Sequence, residues 1–323
     1  MSRRRYLSGI QPSGTLHLGN YFGAIKQHLE WQVAGDSFYF IANYHALTTI
    51  HDGDRLQELT FDVAATYLAC GLDPETSVLF RHSDVPEVTE LTWLLLCVTP
   101  MGLLERAVAY KDKVTRGLAA SAGLFAYPGL MAADILAYRS THVPVGQDQR
   151  QHVEIARDMA RYFNRAFDDE VFVLPEVQLN EAPVVPGVDG QKMSKSYDNT
   201  IPLFAEGKPL EKRVMSIKTD STPLEDPKDP STCTVFQLYS LFANEQERLA
   251  MAERYRAGGL GYGEVKKELL GKIDETFADA RDRRRQLEGD RDFVEDVLRA
   301  GAAKARAIAR EITDGARAAC GVA

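Results

Sequence analysis

The sequence predicts an α/β fold: a doubly wound parallel sheet over residues 1–198, then a helical domain over residues 199–323. Three observations carry the prediction. Short, nearly unbroken apolar runs alternate with segments of helical period through the first half, the pattern of strands buried on both faces with helices between them. Two of these runs pass into a helix through a glycine-bearing turn, at Ser8–Asn20 and again after His142, as at the carboxyl edge of an open parallel sheet. After Asn199 the runs cease, leaving helix-forming stretches rich in Ala, Glu, Arg and Lys.

In chain order, Arg5-Tyr6-Leu7 reads as the end of a first strand, and Ser8–Asn20 turns from it into a helix over Tyr21–Val33. Gly9, Pro12 and Gly14 permit a sharp bend near a ligand, and Gly19 removes a side chain where the helix begins. Converging amides at a helix N-terminus suit an anion such as phosphate, and His17 adds a donor. The same composition is also ordinary loop chemistry, without the spacing of a Walker loop or a dinucleotide fingerprint.

Ser37–Asn43 is a buried strand, followed by a helix from Asp54 to Cys70 that Gly71 closes. A turn at Asp73-Pro74-Glu75 leads into a strand at Ser77–Arg81. Pro86–Arg116 is mostly helical; its apolar patch Leu91–Val98 is either core or a subunit interface. The helix Gly123–Arg139 places Tyr127, Met131 and Asp134 at i, i+4 and i+7, on one face. Asp134 sits among apolar neighbours, so it either caps a backbone group or awaits a ligand that donates a hydrogen bond.

His142–Gly146 is a further strand with a helix opening at Gln147, and Val171–Leu174 is the last strand. Pro183–Gly190 reads as a mobile loop delivering Lys192-Met193-Ser194-Lys195-Ser196. Two lysines and two hydroxyls on such a loop suit a polyphosphate, although a solvated basic loop has the same composition. Helices follow at Pro209–Ile217, Val235–Ala243, Gln246–Ala257, Val265–Leu287 and Asp292–Ala319, the last able to pack back on the first domain.

Composition narrows the function classes. The chain has 323 residues, 45% of them hydrophobic, with no apolar run of membrane-spanning length and no signal-peptide core after Met1, so a cytoplasmic protein is expected. Four scattered cysteines suggest neither a disulfide framework nor a zinc knuckle, and no metal site on the protein is expected. A net charge of −8 argues against coating nucleic acid by bulk electrostatics. Residues 1–198 hold 17 Lys and Arg against 24 Asp and Glu, whereas residues 199–323 hold 21 against 22. Nucleic-acid contact is therefore better tolerated in the second part.

His17-Leu18-Gly19-Asn20 and Lys192-Met193-Ser194-Lys195-Ser196, at the two ends of an α/β domain, resemble the paired signatures of class I aminoacyl-tRNA synthetases. Gly9–Gly14, Tyr44–Thr48, Tyr127–Leu136, Val143–Gln149 and the region of Gly261–Gly263 are similar to the bacterial tryptophanyl-tRNA synthetase family along nearly the whole chain. The resemblance implies a Rossmann-type catalytic domain, a helical anticodon-recognition domain and a homodimer. It also implies activation of L-tryptophan with ATP, Mg²⁺ arriving with the nucleotide, and transfer to the terminal ribose of tRNA(Trp).

Carried over residue by residue, the resemblance makes His17, Lys192 and Lys195 catalytic. ATP would be held by Gln11, Ser13, Gly14, His17, Gly19, Asn20, Lys113, Gly146, Gln147, Asp148, Lys192, Met193, Ser194, Lys195 and Ser196. Leu7, Gln11, His45, Tyr127, Met131, Asp134, Val143, Val145 and Gln149 would form the amino-acid pocket. Indole N–H only donates, so it requires an acceptor such as the Asp134 carboxylate. The sister tyrosine family carries Tyr-x-x-x-Gln-x-x-Asp on this helix; Met131 in place of the glutamine favours tryptophan. A non-tRNA adenylating enzyme and a non-catalytic paralogue are the other readings, opposed by the long helical region and the intact His17, Lys192 and Lys195.

Overall fold

The computed structural model describes residues 4–115, 117, 120–145, 150–179 and 183–323. Five parallel strands lie in the order β3-β2-β1-β4-β5: β1 Arg5–Ile10, β2 Asp36–Ile41, β3 Ser77–Arg81, β4 His142–Val145 and β5 Glu176–Leu179. The order reverses beside β1, and in such a sheet the crevice beyond the carboxyl ends of β1 and β4 is where ligands bind. Both faces are covered, which is why the central strands are apolar nearly throughout.

Several boundaries differ from expectation, each for a local reason. β1 runs to Ile10, because Ser8, Gly9 and Ile10 continue the ladder opposite Tyr39, Phe40 and Ile41. The first helix begins at Leu18 and contains a π-helical turn at Tyr21–Ile25 beside the site. The 86–116 region divides into Glu87–Val98, Met101–Glu105 and Val108–Thr115, the first break falling at Pro100.

The last strand is β5, at Glu176–Leu179 rather than Val171–Leu174. The Asn164 side chain takes the Phe172 N–H and donates to its carbonyl, while the ring is buried, so this backbone pairs with a side chain instead of the sheet. Pro183–Gly190, expected as a mobile loop, has Val185 buried and is tied to the chain that follows it by hydrogen bonds from Gly187 N to Gln191 O and from Val188 N to Asn199 O.

Beyond residue 199 the chain is helical, with helices at Gly207–Met215, Thr234–Ser240, Glu245–Ala257, Tyr262–Gly289 and Arg291–Cys320. The first four build a second core with Leu18, Phe22, Val185 and Met193 from the first part of the chain. Two buried lysines tie down its turns: Lys266 Nζ donates to Met215 O and Ile217 O, and Lys228 Nζ to Pro223 O, Leu224 O and Asp226 O. The Arg291–Cys320 helix lies against β3, where a Cβ on Gly301 would sit 1.9 Å from Leu79 O; only glycine allows that approach. Its Arg306 grips Glu87 through Nε and Nη2.

Candidate active site

Two stretches about 180 residues apart meet beyond the carboxyl end of β1. The turn from Gln11 to His17 is held from behind by residues 201–203, with Leu18 N donating to Ile201 O and Leu203 N to Leu16 O, both at 3.0 Å. That pairing brings the Lys192–Ser196 loop against the turn. Lys195 Nζ donates to Gly14 O at 2.8 Å and reaches Ser13 Oγ at 3.4 Å. Gly14 has φ +134°, and a Cβ there would crowd Lys195 Cδ at 3.3 Å. Burial lowers the Lys195 pKa, with Asp62 acting in the opposite direction.

Asn199, absent from the sequence expectation, fastens this loop. It is buried; its Oδ1 accepts the Ser194 N–H at 2.7 Å, while Nδ2 donates to Asp189 Oδ1 and Lys192 O. Met193 was expected among the nucleotide contacts. Its side chain packs in the second core, its N–H goes to Val185 O, and its Sδ lies 3.3 Å from Gly19 N. A Cβ on Gly19 would come within 2.9 Å of the His17 ring and 3.3 Å of Met193 Cβ, so the helix start packs closely against both. Lys192 and Ser196 are exposed.

His17 is buried, and its Nδ1 has no hydrogen-bond partner among the described residues. Burial first, then the Lys195 charge, pushes its pKa down to about 4. His17 is therefore a neutral imidazole near pH 7, a hydrogen-bond donor rather than a cation. Asn20 Oδ1 accepts the backbone N–H of His17, fixing the helix start.

The second part of the site is a cavity of about 220 Å³ lined by Leu7, Gln11, His45, Tyr127, Met131, Asp134 and Val143, among others. The three residues read as one helix face do meet there, on the helix Ala122–Leu136 that Ser121 caps through Leu124 N. A larger cavity, about 670 Å³, lies across His45 and Tyr127 and is walled by Leu47, Thr92, Ala126 and Leu130. Its mainly apolar wall lacks Asp134, Gln11 and Met131, so the smaller cavity is the better candidate for recognising a polar ring atom.

Among the described residues Asp134 caps no backbone group, and it does not stand alone. Its Oδ2 lies 2.6 Å from His45 Nε2 in a hydrogen bond, and its Oδ1 lies 2.6 Å from His82 Nε2. Only the first contact is aligned; Oδ1 has no hydrogen bond in line among the described residues, although it is fully buried. Burial would raise this carboxyl, but the charge and closeness of His82 and the hydrogen bond from His45 outweigh it and hold the pKa below the usual range. Burial, with Asp134 nearby, pushes Tyr127 up to about 12, so its hydroxyl keeps its proton.

His82 was missed at the sequence level, and the available signal was its place one residue beyond β3 at the carboxyl edge. With His45 and Asp134 it forms a trio whose ligand atoms lie within 4.8 Å of one another. Two ligands of one tetrahedral zinc ion stand about 3.3 Å apart at ordinary bond lengths. The 2.6 Å separations are shorter than that, and the His45 contact is a hydrogen bond. Gly146, Gln147, Asp148 and Gln149 lie outside the described residues, as do the side chains of Lys113 and Val145.

A family model described as tRNA synthetases class I (W and Y) matches residues 2–278. The chain is 56% identical to the tryptophan–tRNA ligase of Rhodopirellula baltica, over 98% of this chain and 99% of that one. It is 53% identical to the tryptophan–tRNA ligase of Fusobacterium nucleatum, over 95% of each. A crystal structure of tryptophanyl-tRNA synthetase from Campylobacter jejuni, complexed with ADP and tryptophan, superposes with a TM-score of 0.92 at 50% identity, covering 98% of this chain and 99% of that one. With these matches over nearly its whole length, the chain belongs to the tryptophanyl-tRNA synthetase family of the class I aminoacyl-tRNA synthetases.

Proposed function

We propose that the Ser8–Asn20 turn and the Lys192–Ser196 loop grip ATP from opposite sides while the Tyr127–Asp134 face presents tryptophan to it. The reaction is that of a tryptophan–tRNA ligase: tryptophan is activated to its adenylate with release of pyrophosphate and then transferred to tRNA. The observation that carries this division of labour is the Lys195 Nζ contact with Gly14 O at 2.8 Å, which joins the two halves at one point.

The tryptophan carboxylate is the nucleophile and is already ionised, so the protein supplies no general base. Neutral His17 donates toward the phosphates, with Asn20, Ser13 and the turn's amides alongside it. Lys192 and Lys195 balance charge that builds on the α-phosphate and the leaving pyrophosphate, which makes catalysis a matter of positioning and electrostatics. Mg²⁺ arrives on the triphosphate. Gly146, Gln147, Asp148 and Lys113 complete the nucleotide end.

In the amino-acid pocket, the buried Asp134 Oδ1 accepts the indole N–H, Met131 lies along the ring, and Leu7, Val143 and Val145 form the wall. Tyr127 and Gln149 orient the amino group, with Gln11 and His45 beside it. Phenylalanine would leave Oδ1 unsatisfied, and sites of this kind reject such analogues by about 10⁴ to 10⁵.

The helical region from residue 199 receives the anticodon of tRNA(Trp), and the active form is a homodimer. Trp93 at 67% and Met101 at 60% exposure, on or beside the Glu87–Val98 helix, give that pairing an apolar contact surface. The test is pyrophosphate exchange with each of the twenty amino acids. Exchange with tryptophan is the expected result; exchange with tyrosine alone would overturn the specificity, and none at all the activity.

A further inference from the structure

Among the described residues His82 does not line the 220 Å³ cavity, yet it is fully buried against Asp134, the carboxylate found in that wall. Its Nε2 lies 2.6 Å from Asp134 Oδ1. Nitrogen and oxygen at that separation are inside van der Waals contact, which an ionised carboxylate tolerates beside a protonated ring nitrogen and not beside a bare one, so His82 carries a proton on Nε2. Its ring is held from three sides: Phe40 edge-on at 5.5 Å, Tyr44 edge-on at 5.0 Å, and His45 stacked at 5.3 Å.

The two histidines therefore treat the two carboxylate oxygens differently. His45 donates in line to Oδ2, which is thereby satisfied. His82 sits close to Oδ1 but off the line of its N–H, so it supplies positive potential while leaving this oxygen without an aligned donor. An oxygen so placed is ionised, fixed in direction and unsatisfied. Those are the properties an acceptor needs to distinguish an N–H donor from an isosteric ring without one.

We propose that His82 is a specificity-determining positioning residue: from behind the pocket it holds Asp134 Oδ1 toward the ring N–H of the bound amino acid. This rests on Asp134 being the indole acceptor, as proposed above. His82 acts only through Asp134. Its loss lets the carboxylate turn and weakens recognition of the donor, without touching the nucleotide half of the site.

The experiment is pyrophosphate exchange on the full chain with two amino acids, tryptophan and its benzothiophene isostere, in which sulfur replaces the ring N–H. Four variants are compared with the parent: His82→Leu, His82→Asn, His82→Gln and Asp134→Asn. A glutamine amide nitrogen falls where Nε2 sits, whereas an asparagine amide falls near Nδ1, so only glutamine keeps a donor beside Oδ1.

Leu and Asn at position 82 are expected to raise the tryptophan KM about 10- to 100-fold and to erode the preference over the isostere by a similar factor. The ATP KM and the kcat at saturating tryptophan change little, and Gln restores most of the loss. Because Asn and Gln differ by one methylene, the comparison survives a Leu variant that does not fold. If Gln is as impaired as Asn, or if the tryptophan and ATP KM values rise together, His82 is merely structural and the proposal is overturned. If Asp134→Asn keeps the parent's preference for tryptophan over the isostere, it is the Asp134 reading that fails.

Discussion

His17 is a residue whose charge state follows from its surroundings rather than its type. Burial and Lys195 hold its pKa near 4 against an ordinary value of 6.5. Between those values the unfolded chain binds a proton that the folded chain refuses, so stability is lost as pH falls from about 6.5 toward 4 and is unaffected above. His28, buried and driven to about 3, adds to the same loss. Replacing His17 with Gln should lower proton uptake on unfolding at pH 5 by about one proton, read from the pH slope of urea denaturation. An unchanged slope would mean that His17 is protonated in the folded state.

The residue scale is also where the sequence was least legible. Tyr127, Met131 and Asp134 could be placed on one face from their spacing alone, because helical period fixes direction. Nothing in that spacing pointed to His82, which reaches Asp134 from the end of a different strand. Asn199 was hidden for the same reason: its three hydrogen bonds join segments whose pairing only the folded loop defines.

Among elements, alternating apolar runs and glycine turns made β1 to β4 and their order of function readable, while β5 was misplaced because an Asn164 side chain competes with the ladder for Phe172. The Arg291–Cys320 helix was visible as a long helix, but its seat on β3 depends on Gly301, whose meaning appears only against Leu79 O. Glu87, accepting from Arg306 and approached by Arg310, anchors this helix to the Glu87–Val98 helix, and the two arginines help hold its carboxyl below the usual range against the effect of burial. Glu87→Ala should lower the free energy of unfolding by about 1–2 kcal/mol in urea denaturation and speed amide exchange in residues 291–320. Since the Glu87 pKa is depressed, the difference from the parent should shrink as pH drops below the ordinary carboxylate range; a pH-independent difference would point to packing instead.

On the scale of the whole molecule, the sheet and the helical region are not independent bodies. Arg284 on the Tyr262–Gly289 helix binds Asp62 and Thr66, and Leu18, Phe22 and Met193 extend into the second core. The loop carrying Lys195 is thus fastened to the helical region on one side and to the Gly14 turn on the other. The exposed Trp93 and Met101 add a surface that we assign to a second copy of the chain. Trp93→Glu should shift sedimentation from dimer to monomer, and a Trp93→Glu protein that still sediments as a dimer would place the interface elsewhere.

The central claim is that two distant segments form one nucleotide clamp, with Lys195 as the charge that joins them. Single-turnover formation of tryptophanyl-adenylate by Lys195→Ala tests it most directly. The rate should fall about 10²- to 10³-fold with the tryptophan affinity essentially unchanged. An unchanged rate, or equal losses in rate and tryptophan affinity, would contradict the clamp.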